Sequence, residues 1–170
     1  TGASIVGADI TGTTVSGTGT LALQTIGGTA SFSGAVSPAS LTVASTVNNA
    51  AFTGTASTIT NAVTFNNTGT LTLGQSGGIQ TYTGGLVATA PSTVTLNGTI
   101  NTTNTALTLN AFTLGSDVTL NANSTDSTGL ITVGTITGAN QNLTLASGYI
   151  SAYSGSSIAI ASSINNVALT

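Results

Sequence analysis

The sequence predicts an all-β fold, a β-solenoid (β-helix) of short strands in about eight coils. Three observations predict this class. Apolar residues alternate with Thr along most of the chain, and the triplet Thr-Leu-Asn closes such an alternation three times, at 95–97, 108–110 and 119–121. Thr, Val and Ile are frequent, which is typical of strands. Only 2% of the residues are charged, against about 25% in an ordinary domain.

The individual strands follow from apolar residues that recur at every second position. This period places the apolar side chains on one face of a strand and the intervening residue, usually Thr, on the other. In chain order the apolar pairs are Leu21/Leu23, Leu41/Val43, Val63/Phe65, Leu71/Leu73, Val94/Leu96, Leu107/Leu109, Val118/Leu120, Ile131/Val133, Leu143/Leu145 and Ile158/Ile160. No stretch keeps a helical spacing, so every element is predicted to be a strand.

The corners between strands are predicted from the residues that follow each alternation. Asn or Gly stands there, and both tolerate the positive φ of a sharp corner. These residues are Asn66, Asn97, Asn110, Asn121, Gly74 and Gly134. An aromatic-Ser/Thr-Gly phrase also recurs, at 32–34, 52–54 and 82–84. Such spacings predict about 20 to 25 residues per coil, with a length that varies.

Two all-β architectures fit these strands, the β-solenoid and a β-sandwich of the pilin type. A sandwich usually guards its exposed edges with Lys or Pro, and this chain has no Lys and only Pro38 and Pro91. In a solenoid, stacked charges would repel one another, while stacked Thr and Asn can hydrogen-bond along the axis. The low charge therefore favours the solenoid, with residues 1–170 as a single region, a segment or subunit of a longer rod or fibre.

Several longer phrases recur across residues 20–150: ASFSGAVSPASLTV at 30–43, QTYTGGL at 80–86, LITVGTITGANQNLTL at 130–145, and the Thr-Leu-Asn strands. They resemble the repeats of large bacterial surface proteins of the filamentous-haemagglutinin and autotransporter-passenger type. The resemblance implies a right-handed parallel β-helix that is secreted, exposed at the cell surface, and often adhesive or fibrous. It implies no functional residue, because those repeats carry architecture and not a catalytic site.

The composition excludes most chemistry. The chain has no Lys, Arg, His, Cys, Met or Trp, so it lacks an imidazole base, a thiol nucleophile, a Schiff-base amine and a Cys/His zinc site. Without cations it cannot neutralise the phosphates of nucleic acid or of anionic lipid. No apolar run approaches the roughly 20 residues of a membrane helix. We therefore expect no enzyme activity, no cofactor, no metal site, no nucleic-acid binding and no membrane insertion.

A few residues could still form a site. Asp9, Asp117 and Asp126 lie in turn-like sequence and are predicted to be ordinary turn residues, because calcium requires more carboxylates than these. The seven aromatic residues could form a sugar-binding platform, but the strand positions of most of them favour the core. They are Phe32, Phe52, Phe65, Phe112, Tyr82, Tyr149 and Tyr153. Tyr149 and Tyr153 are the candidates for surface contact.

Thr-x-Thr pairs occur at positions 18/20, 53/55, 68/70, 70/72, 81/83, 93/95 and 135/137. A flat array of such pairs on a solenoid is typical of ice-binding proteins. That function requires one pair per coil in constant register, and the spacings between these pairs are unequal. The sequence therefore predicts that ice binding is not the function.

The leading functional hypothesis is structural: a component of an extracellular fibre or cell-surface rod. A solenoid ends in open strand edges, and neither 1–20 nor 151–170 carries a charged or Pro-rich cap. The expected partner is a second copy, head to tail, or flanking repeats of the same chain. A second hypothesis, an adhesin stalk that presents loops to a host surface or glycan, predicts a long insertion of distinct composition, and none is present. A third is a pilin-like sandwich that exchanges a donor strand, which 1–20 could supply.

Overall fold

The chain forms a β-solenoid of about 7 turns, which confirms the predicted fold class. The structure is a computed structural model that describes residues 2–123, 128–138, 140–146 and 166–169. Every regular element in these ranges is a strand, and all strand pairs are parallel. The β-sandwich alternative is therefore wrong. The number of coils is slightly below the eight predicted.

The strands are short, with three exceptions. They are β1 (Ala3–Gly7), β2 (Ile10–Gly12), β3 (Val15–Phe32), β4 (Val36–Val43), β5 (Val47–Phe52), β6 (Ala56–Ile59), β7 (Val63–Thr64), β8 (Thr70–Leu73), β9 (Ile79–Tyr82), β10 (Leu86–Ala88), β11 (Thr93–Thr102), β12 (Leu107–Leu109), β13 (Phe112–Asn121), β14 (Ile131–Thr132), β15 (Ile136–Thr137), β16 (Asn142–Ala146) and β17 (Asn166–Leu169). Strand β3 has 18 residues, and β11 and β13 have 10 each. These three run through corners of the coil, where their register with the neighbouring coil shifts.

Each coil contributes three segments, which stack on the equivalent segments of the next coil as three columns. In one central coil these segments are Leu86–Ala88 (column 1), 93–96 (column 2) and 99–102 (column 3). Coil length varies: Thr95 pairs with Thr113, 18 residues further on, whereas Val118 pairs with Leu143, 25 residues further on. The extra residues lie at corners, so the columns keep their alignment.

The core lies inside the coils and consists of the alternating apolar side chains. Every predicted apolar pair in the described residues is buried, except that Val133 is half-buried against the core. The pair Ile158/Ile160 lies outside the described residues. The five described aromatic residues are also buried, which confirms their predicted core role. Four of them form a continuous string in which Phe32 stacks on Phe52, Phe52 meets Phe65 edge-on, and Phe65 meets Tyr82 edge-on.

Most corner residues with positive φ lie at other positions than predicted. Of the six predicted corner residues, only Gly74 has a left-handed φ, of 76°. After Asn97 the left-handed residue is the next one, Gly98, whose φ is 65°. The Asn residues that do adopt positive φ are Asn104, Asn123 and Asn140. The prediction located the residue type correctly but not the position, because the corner extends over several residues beyond the strand.

Candidate functional site

The two described carboxylates hold neighbouring coils together. Asp117 lies in β13, at the corner where three residues, 115–117, stand opposite Asn97 alone. Its Oδ1 accepts the backbone N–H of Asn142 at 2.8 Å and its Oδ2 accepts the Asn142 Nδ2–H at 3.0 Å, one coil further on. These hydrogen bonds to the ionised form lower the pKa of the Asp117 carboxyl. Asp9 similarly accepts the N–H of Thr29 through Oδ1 at 2.7 Å.

The described part of the chain does not bring potential metal ligands together in a cluster. Within it, no three His, Cys, Asp or Glu side chains come together. The predicted candidates Asp126, Tyr149 and Tyr153 lie outside the described residues. No helix of the described residues is long and apolar enough to cross a membrane. Two surfaces remain as candidate sites: the edge of the first coil and the outward face of column 2.

The first coil ends in a strand edge. Strands β1 and β2 pair on one side only, with β3. The inward residues of the first coil, which includes the start of β3, are less buried than the residues with which they pair in the second coil. The half-buried Ile5, Ile10 and Val15 pair with the fully buried Leu23, Ala30 and Val36. Val6 on the same edge is 62% exposed. The end of the stack thus presents unpaired backbone and apolar side chains.

A groove of about 420 Å³ opens beside this edge. It is lined by Gly2, Ala3, residues 15–21 and Pro38. None of these side chains ionises, and three of the ten residues are Gly. The arrangement suits further backbone pairing and apolar contact, and its polar side chains are the hydroxyls of Ser16, Thr18 and Thr20.

The outward face of column 2 carries an aligned array of Thr. We call it the Thr face: Thr70, Thr72, Thr93, Thr95, Thr113, Thr135 and Thr137, from four successive coils. Ala111 takes the remaining position, in the row formed by Thr70, Thr93 and Thr135. Three of the seven Thr-x-Thr pairs of the sequence, 70/72, 93/95 and 135/137, lie on this face. Their spacing is unequal because coil length varies, but the ladder keeps these three pairs in register.

The hydroxyls of the Thr face are largely unused within the protein. All seven side chains are exposed or half-buried. Among the described residues, only the Thr70 hydroxyl of this face has an acceptor, Asn49 Oδ1 at 3.0 Å. Axial hydrogen bonds between side chains were predicted for Asn and Thr alike. The structure contains them at Asn, as between Asn61 Nδ2 and Ser40 Oγ at 2.7 Å, but in the described residues none joins two stacked Thr hydroxyls.

Two hydrogen-bonded polar side chains lie within the core, and the sequence pattern predicted the burial of Tyr82 but not that of Gln80. Gln80 and Tyr82 point inward from β9 and are fully buried. The Gln80 Nε2–H donates to the carbonyl oxygen of Phe52 at 2.6 Å, and the Tyr82 hydroxyl donates to Gln80 Oε1 at 3.0 Å. Burial raises the pKa of the Tyr82 hydroxyl well above its usual value. Because all their partners belong to the core, these groups stabilise the coil and do not form a site.

Comparison with known proteins adds no relative: no protein-family model, no curated protein and no solved structure matches this chain.

Proposed function

We propose that the chain is a structural component of an extracellular fibre or cell-surface rod, built by end-to-end stacking of β-solenoid coils. The observation that carries this proposal is the edge of the first coil. Its backbone hydrogen-bonding groups face outward, and its inward residues Ile5, Ile10 and Val15 are only half-buried. A further parallel coil on this edge would continue three ladders at once and complete the burial of these three side chains.

The chemistry of the edge favours such stacking. Soluble β proteins commonly block their edge strands with Lys, Pro or inward-pointing charges. Strands β1 and β2 contain none of these, and the only ionisable side chain of the first coil, Asp9, accepts a backbone N–H of the second coil. The whole chain has a net charge of −3 and no cations, so charge repulsion between stacked copies is weak.

The partner in this proposal is a second copy of the chain or a flanking coil of the same kind. A cell-surface or extracellular location fits the resemblance to bacterial surface repeats. The two alternatives have less support. An adhesin stalk would be expected to carry a long insertion, and the coils take only 18 to 25 residues. Donor-strand exchange requires a sandwich and a detachable strand, yet residues 2–20 form the first coil, paired in parallel with the second.

The proposal is tested by assembly of a variant that places charge inside the open edge. Ile5→Lys/Ile10→Lys puts two ammonium groups where a stacked coil would bury them, so it should prevent filament formation. Thr64→Lys/Thr108→Lys is the matched control, because it adds the same charge on the outward face of column 1, away from the edge.

Cryo-electron microscopy of the purified chain provides the readout. Wild type and control should form filaments with an axial repeat of about 4.8 Å, the spacing of strands perpendicular to the fibre. The edge variant should remain as short particles. Wild-type protein that stays monomeric at high concentration, or an edge variant that polymerises like wild type, would contradict the proposal.

A further inference from the structure

We propose that the Thr face binds the surface of an ice crystal. This inference does not rest on the proposed function, because it concerns the side of the solenoid and not its end. It depends on the register of the coils, on unused hydroxyls, and on the absence of charge.

Because neighbouring coils pair in register, the Thr residues of this face form a two-dimensional lattice. Thr72, Thr95, Thr113 and Thr137 form one row along the solenoid axis. Neighbours in a row are about 4.8 Å apart, the spacing of paired strands, and the two rows lie about 6.7 Å apart, two residues along a strand. Liquid water has no extended periodic order, whereas the oxygen atoms of an ice surface form a regular mesh of comparable spacing.

The side chains of the Thr face are suited to hold ordered water. Six of the seven hydroxyls have no hydrogen-bond partner within the described protein, so they can donate to and accept from external water. Each Thr also presents a methyl group, and its β-branching restricts rotation about χ1. A rigid array of methyl and hydroxyl groups loses little entropy when it meets a lattice of comparable spacing.

Neutrality of this face argues against other ligands. None of its residues ionises, and the chain has no cation, so anionic ligands have no counter-charge. The face also has no exposed aromatic or large aliphatic side chain, which protein interfaces typically use as anchors. Where Ala111 interrupts one row, a depression of about 80 Å³ lies beside Thr93, Thr113 and Thr137. A space of this size holds about two water molecules.

The other columns do not carry such an array. On the outward face of column 1, Val87 stands between Thr64 and Thr108. On column 3, Ile79 is half exposed in the row that contains Thr99. Substitution of Thr residues on column 1 therefore serves as a control for substitution of Thr residues on the Thr face.

The experiment grows ice slowly from a dilute solution of the protein and measures how much protein enters the ice. The test variant is Thr95→Lys/Thr113→Lys, which places two long charged side chains in the centre of the Thr face. The matched control is Thr64→Lys/Thr108→Lys on column 1, with the same substitutions in outward positions. Circular dichroism and resistance to trypsin, for which the introduced Lys residues are the only cleavage sites, show that both variants are folded.

Wild type and control are expected to be enriched in the ice and to slow the recrystallisation of small ice crystals. The test variant should lose both effects and be excluded from ice like an ordinary solute. Exclusion of the wild type, equal loss in test and control variants, or full retention by a folded test variant would each overturn the inference. Electron microscopy of the same variants shows whether they form filaments. It therefore distinguishes failure of the ice-binding inference from failure of the stacking proposal.

Discussion

Phe32 and Phe52 lie one coil apart with their rings nearly parallel, at an interplanar angle of 7° and a centroid distance of 5.3 Å. They occupy equivalent positions in column 2, because Phe32 pairs directly with Phe52 in the ladder. Phe65 and Tyr82, which lie together in the next coil, extend the contact along the core by one more coil. Burial of large rings together with their mutual contact makes this string a main source of cohesion between the early coils.

The first prediction concerns the centre of that string. Phe52→Ala removes a buried ring that contacts both Phe32 and Phe65, so the free energy of unfolding should fall by about 3–5 kcal/mol. Phe52→Leu keeps most of the apolar volume and should cost clearly less. Urea unfolding of both variants measures the difference. Val6→Ala, on an exposed side chain, is the control, and a loss for Phe52→Ala no larger than that of the control would contradict the prediction.

The second prediction concerns the buried pair of Gln80 and Tyr82. Tyr82→Phe leaves Gln80 Oε1 buried without its donor, which should cost about 1–3 kcal/mol. Gln80→Leu/Tyr82→Phe removes both polar ends, so it should cost less than the sum of the two single substitutions. A double-mutant cycle measured by urea unfolding gives the coupling between the two side chains. Simple additivity would show that the hydrogen bond contributes nothing.

The same hydroxyl gives a third prediction, at alkaline pH. The pKa of Tyr82 is raised in the folded protein, so its contribution to stability is complete below the unfolded value of about 10 and is lost as pH rises above it. The unfolded state should then ionise first. Stability of the wild type should fall more steeply above about pH 10 than that of Tyr82→Phe. Equal pH profiles for the two proteins would show that Tyr82 is accessible to ionisation in the fold.

Local pattern in the sequence was sufficient for the strands but not for the register between coils. Leu71 and Leu73 are buried with Thr72 outside, as period-two alternation predicts. Alignment of Thr72 with Thr95 and Thr113 could not be predicted from a fixed period, because one coil takes 23 residues and the next takes 18. Thr72, Thr95 and Thr113 each follow an apolar residue of column 2. An alignment of these apolar residues between coils would therefore also have aligned the Thr residues.

Gln80 shows a second limit of sequence patterning. Side-chain polarity alone would place Gln80 outside and Ile79 inside in the segment Ile79-Gln80-Thr81-Tyr82, yet Gln80 is buried and Ile79 is exposed. Tyr82 determines which side chains of β9 point inward, because its ring contacts Phe65 and completes the aromatic string. Gln80 shares its side of the strand and is accommodated because both ends of its amide find partners in the core.

The fourth prediction concerns acid pH. Hydrogen bonds from Asn142 lower the pKa of Asp117, so the stability it contributes is present above the unfolded pKa of about 4 and is lost as pH falls through the lower folded value. Asp117→Asn should reduce this loss in acid. Unfolding by urea at neutral pH and below about pH 3 measures it, and Asp9→Asn, with the same change in net charge, is the control. An acid profile of Asp117→Asn that matches wild type would contradict the assignment.

The fifth prediction compares two glycines that share a left-handed backbone but differ in surroundings. Gly74 and Gly77 have φ of 76° and 73°. A Cβ at Gly77 would meet open space, whereas one at Gly74 would collide with the backbone carbonyl of Asn97 in the next coil. Gly77→Ala should therefore cost only the conformational penalty of about 1–2 kcal/mol, and Gly74→Ala clearly more, because two coils must separate. Urea unfolding of both variants decides this, and equal losses would mean that the coils at this corner are not in close contact.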